Sequence, residues 1–216
     1  MRQWIKAHLP YPLVCAIARA TNRPWLEDIH RTERIVEYAW VLAQIGKHHP
    51  PGGRILDFGY AGSYFAEMLC QFGEVTGVDP RRTPDIRHPA FRHEWPLAST
   101  GFDTIVCISV LEHLPREEVW DVWLPRLQEW LVPGGQLLIT VPAGHSARFR
   151  GYQTFSTQEC LRLGSVRFFV RYPWGWKEPP VFNVDDIHST EHQVNAVACV
   201  RLTKSYLSER TTEHRH

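Results

Sequence analysis

A chain of 216 residues, 44% hydrophobic and 22% charged, is sized for one domain with a substantial core. A formal net charge of +1, with no run of Lys and Arg, disfavours a long nucleic-acid backbone as partner, and no apolar stretch approaches the roughly 18 residues of a membrane helix. Five scattered cysteines (Cys15, Cys70, Cys107, Cys160, Cys199) without a CxxC argue against a disulfide framework or zinc site, so the expected location is reducing and cytoplasmic.

Residues 1–24 are mixed, with Pro10, Pro12 and Pro24; the prolines and Arg19 break a faint likeness to a secretory leader. From Trp25 to Ile45, the apolar residues Ile29, Ile35, Val36, Ala39, Trp40 and Leu42 recur at helical spacing. "HHPPGG" breaks the chain, "RILDF" reads as a short buried strand, and a helix runs from Ser63 to about Phe72. "EVTGVDP" is a second strand, ending at Asp79, and "FDTIVCISV" a third. "PREEVWDVWLPRLQEWL" is an amphipathic helix with Val119, Trp123, Leu127 and Trp130 near one side. "VPGG" is expected to stop it before the strand "QLLITV". A loop, the helix "STQECLRLG" and the strand "SVRFFVRY" follow. The aromatic insertion "PWGWKEPPVFN" then leads to the last strand, "QVNAVACVRLTK".

Alternating strands and helices predict an α/β fold, a doubly wound and mostly parallel sheet covered on both faces. The last two strands, joined without a helix, predict an antiparallel hairpin at one edge. The expected organisation is an N-terminal helical segment (1–50) covering the active site, a main domain (51–206) and a polar tail (207–216).

In such a sheet, ligands sit at the carboxyl ends of the strands, where the order reverses. The first strand-to-helix turn, "DFGYAGS", keeps Gly59 and Gly62 but carries Tyr60, Ala61 and Ser63 around them. Ala or Ser can replace a turn glycine where φ stays negative. Asp79, 20 residues after Gly59, is placed for a carboxylate that accepts from ribose hydroxyls. Two nucleotide cofactors remain open on these grounds. A nicotinamide dinucleotide needs room for its pyrophosphate, and Tyr60, Ala61, Ser63 and the charge of Asp57 oppose it. S-adenosylmethionine carries a sulfonium and an ammonium, which Asp57 suits.

The segments "ILDFGYAGS", "VTGVDP", "FDTIVCISVLEHL" and "LVPGGQLLITVP", in this order over roughly residues 52–142, resemble the class I S-adenosylmethionine-dependent methyltransferases. "GYAGSYF", "EHL" and "VNAVACVRL" resemble more loosely the small bacterial enzymes of glycan and natural-product pathways. The resemblance implies a Rossmann-like methyltransferase fold with a seven-stranded sheet, and S-adenosylmethionine as cofactor with S-adenosylhomocysteine as product. By position, Asp57, Gly59, Tyr60 and Ala61 would line the methionine part, with Tyr64 and Phe65 packed beside it. Asp79 would bind ribose, with Pro80 and Arg81 beside the adenine. Glu94 and Trp95 fall where the family places residues near adenine, and Ser109, Val110 and Leu111 would pass under the methionine chain.

A neutral hydroxyl acceptor needs help to lose its proton. Glu112 and His113 end the strand "TIVCISV", where acceptor and methyl group meet. His113 is the candidate base or orienting group, and Glu112 supports the loop or the cofactor; the alternative is that "EHL" caps the next helix. Some relatives hold a divalent metal with Glu-x-x-Glu-His, but Ser109 takes the first position here, and no metal is expected. "DDIHSTEH" (Asp185, Asp186, His188, His192) reads as solvated loop. Candidate acceptor contacts are His145, Arg148, Arg150 and Tyr152 on the loop after "QLLITV", and Trp174 and Trp176 in the aromatic insertion, where burial against the N-terminal helix or a partner is the competing account. The expected function is methylation of a small molecule, on oxygen of a sugar, glycosylated or secondary-metabolite acceptor, with no nucleic-acid or membrane partner and a homodimer as a candidate assembly. The alternatives are a non-catalytic cofactor-binding protein or partner subunit and, behind it, a nucleic-acid methyltransferase.

Overall fold

The computed structural model describes residues 32–60, 65–79, 88–94, 96–149, 151–172, 175–179, 183–190 and 193–205. Helix α1 (Arg34–His48) leads into β1 (Arg54–Phe58), α2 (Phe65–Leu69), β2 (Glu74–Val78), β3 (Phe91–His93) and β4 (Phe102–Ile108). A 3₁₀ turn (Leu111–His113) precedes α3 (Arg116–Glu118), a π turn (Val119–Trp123) and α4 (Leu124–Trp130). Then come β5 (Leu131–Pro142), β6 (Arg148–Phe149), β7 (Tyr152–Gln153), α5 (Thr157–Leu163), β8 (Ser165–Tyr172), β9 (Gly175–Lys177) and β10 (Ala196–Thr203).

The main sheet has the order β3-β2-β1-β4-β5-β10-β8-β9. Strands β3, β2, β1, β4 and β5 pair in parallel, and β10 lies antiparallel between β5 and β8. The order reverses between β1 and β4, and in open α/β sheets ligands bind outside the carboxyl ends of the strands at such a point. The fold expectation holds, with one strand more than anticipated. The eighth, β9, comes from the aromatic insertion and pairs Arg171 with Trp176. The expected hairpin therefore lies just inside the edge, with β9 as its rim.

Both faces of the sheet are covered. Period-two alternation along β4 sends Val106 to one face and Ile105 and Cys107 to the other. Trp40, Val41 and Ile45 of α1 and Phe65 and Leu69 of α2 cover the first, against Ile55, Val75, Leu138 and Val197. Leu124 and Leu127 of α4 and Cys160 and Leu163 of α5 cover the second, against Leu56, Leu137, Ile139 and Val200. Cys70, Cys107, Cys160 and Cys199 are buried free thiols.

Three local expectations are corrected. The buried side of α1 is Glu37, Trp40, Val41 and Ile45, with Ala39 exposed. The segment "VPGG" lies within β5, at an irregularity where pairing with β4 jumps from Phe102↔Leu131 to Thr104↔Gln136. The long amphipathic helix is interrupted by a π turn in which Leu124 N–H donates to Val119 O. Pro125 explains it: proline has no N–H for the Asp121 carbonyl and its ring crowds that group, so the helix widens ahead of it. Helix α5 is fixed by a capping box in which the Ser156 and Glu159 side chains satisfy each other's backbone N–H. Among the described residues no helix is long and apolar enough to cross a membrane.

Candidate active site

The carboxyl ends of β1, β2, β3, β4 and β5 bring Gly59, Asp79, Glu94, Ser109–His113 and the loop 143–151 to one edge of the sheet. Gly59 adopts φ +79°, and a Cβ there would lie 2.4 Å from Val110 Cγ2. Only glycine lets the turn after β1 meet the turn after β4 so closely. The Tyr60 ring does not fill the space over this turn. It enters the core edge-on against Phe91, with its hydroxyl 3.2 Å from His93 Nδ1. Gly77 makes room, since a Cβ there would lie 2.8 Å from Tyr60 Cδ1. Phe65 likewise turns inward and stacks on Tyr38 of α1, ring centroids 4.3 Å apart. Ala61, Tyr64, Pro80, Arg81, Trp95, Arg150 and Trp174 lie outside the described residues.

Asp57 is the strongest electrostatic feature of this edge. It is buried near the end of β1, and its Oδ2 has no hydrogen-bond partner. Burial, followed by the nearby charge of Asp79, pushes its carboxyl up to about 7. An orphaned buried carboxylate oxygen fits a cationic ligand group. Asp79, at the end of β2, is buried too. Glu94 has a different employment. Its Oε1 accepts from the backbone of Ala98 (2.7 Å) and Ser99 (3.0 Å), and its Oε2 from Ser99 Oγ (2.7 Å). These bonds, the Ser99 hydroxyl first, hold its carboxyl below the usual range, and they close the loop 94–99 rather than face an adenine.

The turn after β4 is anchored from an unexpected direction. Ser109 is the one non-glycine at positive φ among the described residues, at 49°, a conformation that costs of order 1–3 kcal/mol. Its N–H donates to Thr140 O (3.0 Å), and its hydroxyl to Glu37 Oε1 (2.8 Å) on α1. Thr140 Oγ1 donates to the same oxygen at 2.8 Å, and Arg34 donates to Oε2 at 2.6 Å. Leu111 is fully buried in the core. Thus Val110 alone of the three residues expected under the methionine chain turns its side chain over Gly59.

Glu112 and His113 diverge. Glu112 is 4% exposed, and its Oε2 has no partner. Burial, with the Glu37 charge adding and Arg34 opposing, pushes its carboxyl up to about 8. The His113 side chain is 44% exposed, with Nε2 4.0 Å from Glu112 Oε1. Its Nδ1 bonds to the carbonyl of Gly151, which places the ring proton there and leaves Nε2 with a free lone pair.

The loop after β5 is fastened beside this pair. Arg116 donates to Gln153 Oε1 (3.1 Å) and Thr154 O (2.8 Å) and pairs with Glu159, while Gln153 donates to Leu114 O at 2.9 Å. His145 is exposed and packs against His188, ring centroids 4.7 Å apart. Tyr152 stacks on Phe149 and donates to Thr190 O; Arg148 is exposed. Trp176 is half-buried and, like Phe169, packs against the apolar cluster on the α1 side of the sheet. Asp185 accepts from Thr157 N at 2.6 Å and so serves the start of α5. Among the described residues no three His, Cys, Asp or Glu side chains are arranged to hold a metal ion.

Sequence reasoning missed Glu37, Arg116 and Gln153. Glu37 left a signal: it stands four residues before Val41 and eight before Ile45, an acid within the buried stripe. Arg116 and Gln153 left none, since their partners are 37 to 43 positions distant.

Residues 30–194 match the methyltransferase-domain family, and the chain belongs to that family. No curated protein matches the sequence. Among solved structures, it is similar to the 1,6-didemethyltoxoflavin-N1-methyltransferase of Burkholderia thailandensis, crystallised with 1,6-didemethyltoxoflavin and S-adenosylhomocysteine. That likeness has 17% identity and a TM-score of 0.58, over 88% of this chain and 85% of the other. It is also similar to the N-methyltransferase NodS of Bradyrhizobium japonicum WM9, crystallised with S-adenosylhomocysteine, at 16% identity and a TM-score of 0.57, over 82% and 90% of the chains. These likenesses bear out the doubly wound α/β fold.

Proposed function

We propose that the chain is an S-adenosylmethionine-dependent methyltransferase acting on the hydroxyl of a small molecule, of the sugar, glycosylated or secondary-metabolite kind. The observation that carries the cofactor assignment is the orphaned Oδ2 of Asp57 beside Gly59. An ammonium supplies the donor this oxygen lacks, and a pyrophosphate would be repelled by it. Asp57, Gly59 and Val110 would line the methionine part and Asp79 the ribose, and the N-terminal segment to residue 50 would cover the crevice. When bound, S-adenosylmethionine supplies an electrophilic methyl group and leaves as S-adenosylhomocysteine.

His113 Nε2 accepts the proton of the acceptor hydroxyl, held in the basic tautomer by Gly151 O. The Glu112 carboxyl, 4.0 Å from Nε2, favours the resulting imidazolium in its ionised form, which predominates only above about 8. Proton removal of this kind is worth about 10²–10⁴ in rate, beside the larger gain from alignment. His145, Arg148 and Tyr152 face the acceptor from the loop fastened by Arg116. Nitrogen is the second reading: the unpartnered Oε2 of Glu112 suits an amine N–H, and both similar structures are N-methyltransferases by name.

Calorimetry with S-adenosylhomocysteine, followed by transfer of labelled methyl to panels of hydroxyl and amine acceptors, tests this. Micromolar binding with labelled product is expected, and His113→Ala should lower kcat by about 10²-fold or more with the melting temperature unchanged. Binding without turnover on any acceptor would assign the chain to cofactor sensing, and no binding by folded protein would end the assignment.

A further inference from the structure

We propose that Glu37 is a positioning residue, through which helix α1 sets both the geometry of the Ser109–His113 turn and the electrostatic field at Glu112. Its effect on turnover rests on the methyl-transfer reading; its effect on Glu112 does not.

Glu37 is fully buried, yet it lies 72 positions from Ser109 and 103 from Thr140, whose hydroxyls both donate to its Oε1. Thr140 is on β5 and Ser109 follows β4, so one carboxylate oxygen ties α1 to the carboxyl ends of two adjacent strands. Ser109 is also the residue whose backbone is held left-handed. Two hydroxyl donors and a guanidinium are more than is needed to pack a helix, because an apolar side chain would cover this face without a buried charge. The contacts converge instead on the residue that aims Val110, Glu112 and His113.

Among the described residues, few groups act on Glu112. Glu37 and Arg34 reach it from α1, the Ser109 hydroxyl and His113 from its own turn, and the Cys107 thiol from β4. Arg34 and Glu37 form one ion pair, and Glu37 is the larger influence on the carboxyl. Its negative charge favours a protonated Glu112, while the Ser109 hydroxyl works in the opposite direction.

The test is the titration of Glu112, read by NMR on protein labelled with ¹³C-glutamate and assigned with Glu112→Gln. It needs neither cofactor nor acceptor. In the parent, the resonance should titrate near 8. Glu37→Gln should move the midpoint down by about one pH unit, and Glu37→Asp, which keeps the charge, should restore most of it. Ser109→Ala, a half-buried change that serves if Glu37→Gln does not fold, should move it upward. With an active parent, Glu37→Gln and Ser109→Ala should each lower kcat about tenfold or more, with the acceptor KM within about twofold. An unmoved Glu112 midpoint in folded Glu37→Gln or Ser109→Ala, or shifts of the same sign in both, would overturn the proposal. An inactive parent that fails to bind S-adenosylhomocysteine would overturn the methyl-transfer reading alone, leaving the titration to decide on Glu37.

Discussion

Asp57 makes a demand that can be measured twice, with opposite signs. Its carboxyl rises from 3.8 to about 7, chiefly through burial. At about 1.4 kcal/mol per pH unit, a fully ionised Asp57 costs the ligand-free fold up to about 4 kcal/mol. The raised value means that the folded state holds the proton more tightly than the unfolded chain. This group's contribution is therefore fully present below about 3.8 and is lost as pH rises to about 7. Asp57→Asn removes the charge in nearly the same volume. At pH 8 it should raise the melting temperature of the free protein by several degrees, since 1 kcal/mol moves a domain of this size by about 2–4 °C. Ligand binding should respond in reverse. An ammonium pairs with the ionised form, so S-adenosylhomocysteine affinity should be flat above pH 8. It should weaken about tenfold by pH 6 and approach a hundredfold by pH 5, and Asp57→Asn should lose both the affinity and its pH dependence. Differential scanning fluorimetry and calorimetry across pH 5–8.5 read the two effects. A variant that melts lower than the parent, together with parent affinity independent of pH, would refute the argument.

Two further outcomes follow from the packing. Gly59→Ala adds a Cβ 2.4 Å from Val110 at φ +79°, so it should destabilise by roughly 1–3 kcal/mol and abolish cofactor binding, whereas Gly59→Ala with Val110→Ala should recover part of the stability but little of the affinity. At the opposite end of the sheet, His49 bonds Thr104 Oγ1 through Nδ1 at 2.9 Å, and its buried Nε2 has no partner. Burial lowers its pKa; the unfolded chain therefore takes the proton first, and stability from this residue falls as pH drops below about 6.5. His49→Gln should flatten the urea midpoint between pH 6.5 and 5 relative to the parent, and identical slopes would show that His49 is not buried neutral.

The fold was legible where hydrophobic runs are long and bounded by turn residues. "RILDF", "EVTGV" and "FDTIVCI" are strands with the anticipated order of use, and the crevice lies at their carboxyl ends. Periodicity failed where two signals compete. "VPGG" carries turn residues, but it lies inside β5 as the irregularity between the Leu131 and Gln136 pairings with β4, with Gly134 and Gly135 exchanging backbone bonds with Lys204. On α1, Ile35, Val36 and Ala39 mark one side by hydropathy, but the helix turns Glu37 inward because Ser109, Thr140 and Arg34 satisfy it there. Local motifs single out Asp57, Gly59, Asp79 and His113 as site candidates, and the fold brings them to one edge of the sheet, because a turn and its strand lie within a few residues. Backbone position, however, does not reveal side-chain direction. Tyr60 and Phe65 stand at the crevice by number and are consumed by the core through Phe91, His93 and Tyr38.

The choice between an enzyme and a cofactor-binding relic turns on Glu112 rather than on Asp57. On the proposed reading either kind of protein needs Asp57, since both would hold the same cation. Glu112 follows β4, the neighbour of β1, and after burial its charge and that of Asp57 push the Cys107 thiol up. A protein that only binds gains nothing from a second buried acid whose Oε2 lacks a donor, and an apolar residue there would relieve the penalty of desolvation. Nor would it gain from an exposed imidazole whose Nδ1 is engaged by Gly151 and whose Nε2 is left open beside that acid. The buried Glu112 carboxyl, pushed to about 8, and His113 Nε2, 4.0 Å from its Oε1, stand side by side at the end of β4. Methyl transfer to a hydroxyl or amine releases one proton per turnover, and on the proposed reading Glu112 and His113 are the groups that take it.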